Sequence, residues 1–330
     1  MNLKWKRPDM VHEAAKTGGK NVFVEILMFL GVYFVLQIFM MVPILGVEAV
    51  MLAMHPDFMK VSASGDLAAM IAIEQEILSS EGMMVVQLFA TALMIAVPML
   101  FCKLIQKRKM RTLGFKKAGM WKEYGMGLLI GFAMMTVIVL VGAVTGALRI
   151  EFNSGLLSAA GLGMLFLLFV GFLIQGMSEE VFCRSYFLVS VARKKGNVWL
   201  GIIVNALAFG ALHLGNPGIT ALSLVNLVLF GIFASIYFVK RGSIWGIAAI
   251  HSIWNFAQGN IYGILVSGMN FGTTVFKSTI NEEMTLINGG SFGLEGGILT
   301  TIVLTVAIVL ALMSKQKDFV EVEAPQENVA

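Results

Sequence analysis

GLGMLFLLFVGFLIQGMSEEVFCRSYFLV, residues 161–189, is an apolar run that carries three charges in its second half. A helix needs about 20 apolar residues to cross a hydrocarbon core about 30 Å thick, and this run supplies them. The charges are Glu179, Glu180 and Arg184. On insertion scales a charge near the bilayer centre costs about 2.5–3.5 kcal/mol, so three unpaired and central charges would cost on the order of 8–10 kcal/mol. Glu180 and Arg184 are four residues apart with the acid N-terminal to the base, so they share a helix face and neutralise each other. Glu179 points about 100° away from that face. It has no local basic partner, and an unpaired carboxylate inside a membrane marks function by default. The competing reading is a solvated acid at the cytoplasmic interface, with Arg184 snorkelling towards it.

The whole chain agrees with a membrane setting. Of its 330 residues 58% are hydrophobic and 13% charged, and the mean hydropathy is +0.83. Soluble chains run near 25% charged. With half that charge the chain cannot cover a water-facing surface, and its apolar surface must meet lipid. The net charge is +4. The basic residues sit in short clusters beside apolar runs, which is the pattern of cytoplasmic loops and not of a nucleic-acid face. Cys102 and Cys183, at or inside apolar segments, read as lone buried thiols.

Eight apolar segments are expected to form membrane helices, near 22–47, 83–104, 124–148, 161–189, 198–213, 218–239, 244–266 and 297–313. The first is too long for a cleavable signal core and reads as a retained helix. Lys and Arg collect before the first segment, between the second and third (Lys103 to Lys122), between the fourth and fifth (Arg193 to Lys195), between the sixth and seventh (Lys240, Arg241) and after the eighth (Lys315, Lys317). Strict alternation of basic and basic-poor connections places both termini in the cytoplasm. Within the first outer connection, Leu67–Leu78 is expected to be an amphipathic helix at the interface. Residues 267–296, rich in Gly, Asn and Thr, are expected to form an outer loop. Gly127 and Gly131 form a G-x-x-x-G that reads as close helix packing in preference to a dimer face. The chain divides into a cytoplasmic segment 1–21, three helices and their connections over 22–160, a catalytic core over 161–313 and a polar cytoplasmic tail 314–330.

Two further segments carry polar groups at helical spacing. The fifth ends in Phe209-Gly210-Ala211-Leu212-His213, which stacks Phe209 beneath His213 on one face. A lone His at a helix end is commonly a capping or interface residue. The seventh contains His251-Ser252-Ile253-Trp254-Asn255, where His251 and Asn255 share a face; alone, such a pair also serves as hydrogen-bonding glue between helices. Together the three segments hold a carboxylate, two imidazoles and an amide, which suffice for water-dependent amide hydrolysis.

At these residues the chain resembles the CPBP family of intramembrane endopeptidases, the CAAX-protease and bacteriocin-processing group that includes the type II CAAX prenyl endopeptidases. The family pattern is E-E-x-x-x-R, then F-x-x-x-H, then H-x-x-x-N/D. It is matched by Glu179-Glu180 with Arg184, Phe209 with His213, and His251 with Asn255. The resemblance implies an all-α, polytopic membrane protein of about eight spans, with its active site between the fourth, fifth and seventh. It implies that Glu179 is the general base that activates water and that His213 helps to hold that water. His251 and Asn255 would form the oxyanion site, while Glu180, Arg184 and Phe209 would be structural. The family has also been described as metal-dependent, and Glu179, His213 and His251 are the alternative zinc ligands; no H-E-x-x-H is present, and the preferred reading has no cofactor.

For the three motifs to meet, the fifth segment must stop part-way across the membrane, with Leu214 to Gly218 as a break that lines a cavity. The expected partners are the lipid bilayer and a peptide or protein substrate, lipidated or membrane-embedded; no nucleic acid is expected. The expected location is the plasma membrane. Two other functions fit the same buried charges: a small-solute transporter, against which no inverted repeat is seen, and a non-catalytic immunity or scaffold protein that keeps the fold. Single cysteines in the basic loops, Lys107→Cys and Lys194→Cys, are expected to resist an impermeant thiol reagent applied to intact cells. Labelling at position 107 from outside would overturn the eight-segment topology.

Overall fold

The computed structural model describes residues 7–194, 197–317 and 319–320. Residues 1–6, Lys195 and most of the expected polar tail lie outside them. The helices are α1 (Asp9–Ala15), α2 (Val22–Met54), α3 (Phe58–Ser64), α4 (Leu67–Leu78), α5 (Glu81–Leu104), α6 (Met120–Val144), α7 (Ala159–Arg193), α8 (Val198–Leu212), α9 (Ala221–Arg241), α10 (Trp245–Phe256), α11 (Thr285–Asn288) and α12 (Ile298–Met313). Two small antiparallel sheets complete the fold. One pairs β1 (Arg7–Pro8) with β4 (Phe319–Val320), and the other pairs β2 (Leu148–Phe152) with β3 (Phe276–Ile280).

All eight expected segments contain helix, and among the described residues α2, α5, α6, α7 and α9 are long and apolar enough to cross a membrane. The protein is a multi-pass, all-helical membrane protein. The other three segments form shorter helices. α8 has 15 residues, which is about 22 Å of helix and short of the hydrocarbon core. α12 has 16 residues. α10 has 12 and runs on into a wide π-turn, Ala257–Ile261. The helix expected at Leu67–Leu78 is present as α4 with those bounds.

Several boundaries differ from the sequence reading: the first helix runs on to Met54 and the seventh leaves helical course at Ile261. The third segment, expected to reach 148, stops at Val144, because Gly146 takes a left-handed φ of 78° just past the helix end and Leu148 already belongs to β2. The 267–296 connection is not a plain loop. It supplies β3, α11 and short turns, with Phe276 paired to Phe152 and Ile280 to Leu148.

The bundle has two chemically different ends. At one end Glu13 of α1 bonds Lys16 and Arg111, Arg193 meets Glu25 at 2.9 Å, and Arg241 meets Glu123. Lys317 lies 3.5 Å from Glu123, and Lys240 Nζ donates to the Leu312 carbonyl at 2.9 Å. The Lys16 ammonium, with Arg111 beside it, holds the Glu13 carboxyl below the usual carboxylate range. Basic residues from every connection expected to be cytoplasmic are therefore drawn together. The opposite end is built from β2–β3, from Thr273 donating through Oγ1 to Glu81 at 2.7 Å and from Ser267 donating through Oγ to Glu295 at 2.8 Å.

α10 sits at the centre, with every residue from Gly246 to Phe256 buried. It is flanked by helices that approach it through glycines. A Cβ on Gly131 of α6 would stand 2.6 Å from the Ile250 carbonyl oxygen, and one on Gly176 of α7 would stand 2.5 Å from the Ser252 nitrogen. Gly127, the other half of the G-x-x-x-G, abuts the Gly246 carbonyl in the same way. The motif thus packs a helix of the same chain, as small residues let backbones close up in lipid.

The other local irregularity is a π-helical stretch in α7, Val181–Leu188, directly after the two glutamates. Such wide turns often accompany functional sites. Arg108 reaches it from the connection between α5 and α6, donating to the Ser185 carbonyl at 2.8 Å and the Tyr186 carbonyl at 3.2 Å. Arg108, counted from sequence among the loop charges, is 2% exposed. Because a side chain on Gly131 would meet the Ile250 backbone as well as the Ile253 side chain, rotation of Ile253 alone does not relieve it. Gly131→Leu is expected to cost at least about 1–3 kcal/mol, the usual range for overpacking, and to reduce folded protein measured by melting in detergent, while Gly125→Ala, facing open space, leaves the melt unchanged.

Candidate active site

Glu179 and Glu180 are consecutive, so the helix turns them to different surroundings. Glu180 is wholly buried. Its Oε1 accepts from Arg184 at 2.9 Å and lies 2.8 Å from Nδ1 of His251. The pairing expected within α7 is present, and the same oxygen also holds α10. Arg184 is equally buried, and its guanidinium carbon stands 4.6 Å from the Phe209 ring centroid and 5.9 Å from that of Phe230. Its Nε and second terminal nitrogen have no hydrogen-bond partner among the described residues, and the ring faces provide the cation–π environment that a desolvated guanidinium favours. This gives a physical reason for the aromatic at Phe209.

Glu179 keeps 20% of its side-chain surface exposed and faces a cavity of about 760 Å³. His251 Nε2 stands 3.7 Å from Glu179 Oε2, beyond direct hydrogen-bond reach. The other Glu179 oxygen accepts from Gln175, one helical turn earlier. Gln175 in turn accepts from Asn255 Nδ2 at 3.0 Å. A single amide therefore joins Glu179 on α7 to Asn255 on α10. Gln175 was passed over in the sequence, although it is the one amide in residues 161–189 and lies four before Glu179. Phe230, whose ring packs edge-on against His251 at 4.9 Å, had no signal; it is one apolar residue among many in α9.

His213 caps the C-terminus of α8 and lines the same cavity. Its Nδ1 lies 2.8 Å from the Phe209 carbonyl. A carbonyl only accepts, so Nδ1 carries the proton, and in the neutral tautomer Nε2 presents a lone pair to the cavity. The chain breaks after His213 as expected, and Asn216 in that break belongs to the cavity wall. His251 is oriented by Glu180, with Nδ1 on that carboxylate and Nε2 towards Glu179.

All seven residues singled out in the sequence thus meet around one site, and Glu179, Phe209, His213, His251 and Asn255 line its cavity. They do not converge as metal ligands. Among the described residues no three His, Cys, Asp or Glu side chains stand close enough to share an ion, so Glu179, His213 and His251 do not form a closed zinc set in this geometry. Cys102 and Cys183 are both free and buried.

Residues 161–257 match the type II CAAX prenyl endopeptidase Rce1-like family. The assignment made from the three motifs holds over that stretch, which opens within α7 and closes just after Asn255. No curated protein and no solved structure matches the chain.

The two acids are expected to separate by variant. Arg184→Ala leaves Glu180 buried without its cation, a change that costs about 3–5 kcal/mol in buried pairs, and is expected to lower the amount of folded protein in membranes. Glu179→Ala is expected to leave that amount near the parent's. Equal abundance of the two on immunoblots would contradict the division.

Proposed function

We propose that the protein is an intramembrane endopeptidase with Glu179 as general base. The observation that carries this reading is the contrast between neighbouring carboxylates: Glu180 is sealed against Arg184 and His251, while Glu179 alone faces the cavity. Two carboxylates in unlike environments take unlike roles. Glu179 removes a proton from water as the water oxygen attacks the scissile carbonyl carbon. His213 Nε2 accepts a hydrogen from the same water and orients it. The carbonyl oxygen becomes an oxyanion, and Asn255 donates to it with the amide hydrogen not engaged by Gln175. His251 donates through Nε2, which requires both ring nitrogens to be protonated because Nδ1–H is held by Glu180. Collapse of the tetrahedral intermediate breaks the C–N bond, and Glu179 returns its proton to the leaving amine.

The catalytic core in this reading is 161–313, with the helices of 22–160 as its frame. Both termini face the cytoplasm, which the positive-inside pattern supports, and the membrane in this reading is the plasma membrane. The substrate is a peptide or protein at the membrane, and no cofactor takes part in the steps above.

In purified protein, Glu179→Gln is expected to keep shape and lose most cleavage of a peptide library, since an amide cannot take the proton. His251→Ala and Asn255→Ala are each expected to slow cleavage by about 10²–10³, the usual loss for one oxyanion donor. Prolonged strong chelation should leave the rate unchanged; zinc-specific, reversible loss would falsify the metal-free mechanism.

A further inference from the structure

The cavity at Glu179 reaches the β2–β3 end of the bundle. Its walls come from the membrane helices, from the break after α8 and from the connections at the β2–β3 end. Met269 and Asn270 at that end line it and are exposed. The rim there is ordered: Ser267 takes a left-handed φ of 50° and is held through its N–H and Oγ by the Glu295 carboxylate, both at 2.8 Å. No wall residue comes from the basic connections between α5 and α6, α7 and α8, or α9 and α10.

Towards the basic end the route is filled in three layers. Just below Cys183, the deepest α7 residue in the wall, Phe29 stacks on Phe182 at 4.5 Å and on Phe187 at 4.0 Å. Beneath these, Arg108 bonds Ser185, Tyr186 and Ser190, Gln106 bonds Ser190, and Arg193 pairs with Glu25; all four charged and amide side chains are buried. Last, α1 lays Met10, Val11 and Ala14 into the same core. Water or a peptide entering from this end would have to part a buried charge network, which is costly when either partner is left alone.

The basic end is the cytoplasmic one by the distribution of Lys and Arg. We propose that Glu179 is reached only from the extracytoplasmic side, so that the substrate is an exported or membrane-anchored polypeptide segment entering from that face or its lipid leaflet. The walls suit such a segment. Met40, Met41, Met84 and Met94 line the cavity, and thioether side chains adapt to varied apolar groups. No Lys or Arg lines it among the described residues. The word substrate rests on the endopeptidase reading; the direction of access does not.

Gln87 and Asn270 line the cavity, Gln87 within α5 and Asn270 at the rim. The full-length Gln87→Cys and Asn270→Cys proteins are treated with an impermeant, positively charged methanethiosulfonate, in intact cells and in inside-out vesicles, with the parent protein as blank. Both are expected to be modified in intact cells and protected in inside-out vesicles. Modification of Gln87→Cys from vesicles but not from cells overturns the proposal. So does modification of Asn270→Cys alone, because the cavity would then be closed to that side. Thr91→Cys, on the same wall, replaces Gln87→Cys if that variant fails to accumulate. Access from outside in a protein that cleaves nothing would sink the endopeptidase reading and leave the direction of access standing.

Discussion

One buried carboxylate oxygen, Glu180 Oε1, accepts from Arg184 at 2.9 Å and from His251 at 2.8 Å. It joins the α7 charge pair to α10 in a place where water cannot satisfy either group. Arg184 then rests against Phe209 of α8 and Phe230 of α9, so four helices are set by one ion cluster. In lipid there is no hydrophobic drive to bring helices together, and packing with polar contacts must do it. The cluster is therefore both the anchor of the bundle and the support of the imidazole at the site. Its cost in desolvation is offset only while every member is present.

That anchor requires α7 and α10 to touch. Gly176 removes the side chain that would hold them apart at Ser252, one residue from His251. Gly131 does the same for α6 on the other side of α10. The π-helical stretch after Glu180 widens α7 where Arg108 takes up the Ser185 and Tyr186 carbonyls. The irregular backbone sits where protein groups satisfy it, as the membrane demands. The same arginine fills the space below the site, so the feature that shapes the helix also closes the bundle on that side.

Two of the three short helices carry the site. α8 ends at Leu212, leaving His213 at the cavity wall, and α10 leaves its α-helical course soon after Asn255. Neither is long enough for a simple span, and the polar chemistry lies at or near their ends. Gln175 completes the arrangement by holding Glu179 and Asn255 together, a link between helices that neither motif contains.

Several features were determined by the chain alone. Apolar length and low charge dictate a helical membrane protein, because lipid leaves the backbone no other partner than itself. The spacing Glu180 to Arg184 fixes a pair on one face, and the unpaired Glu179 follows from the 100° turn between neighbours. The helix Leu67–Leu78 and the break after His213 follow from local pattern in the same way. Other features depend on residues far apart in sequence, which periodicity within one segment cannot relate. Gly131 and Gly176 signal small residues, but their partners Ile250 and Ser252 are known only once the helices pack. Phe230 is one aromatic in an apolar helix until Arg184 and His251 arrive beside it. Arg108 reads as a loop charge because sequence gives no depth, and it is buried because the carbonyls of the π-helical stretch are 77 and 78 residues away along the chain. The sequence named the candidate groups; tertiary packing set their distances and the walls of the cavity, since both are properties of helices meeting and not of any helix alone.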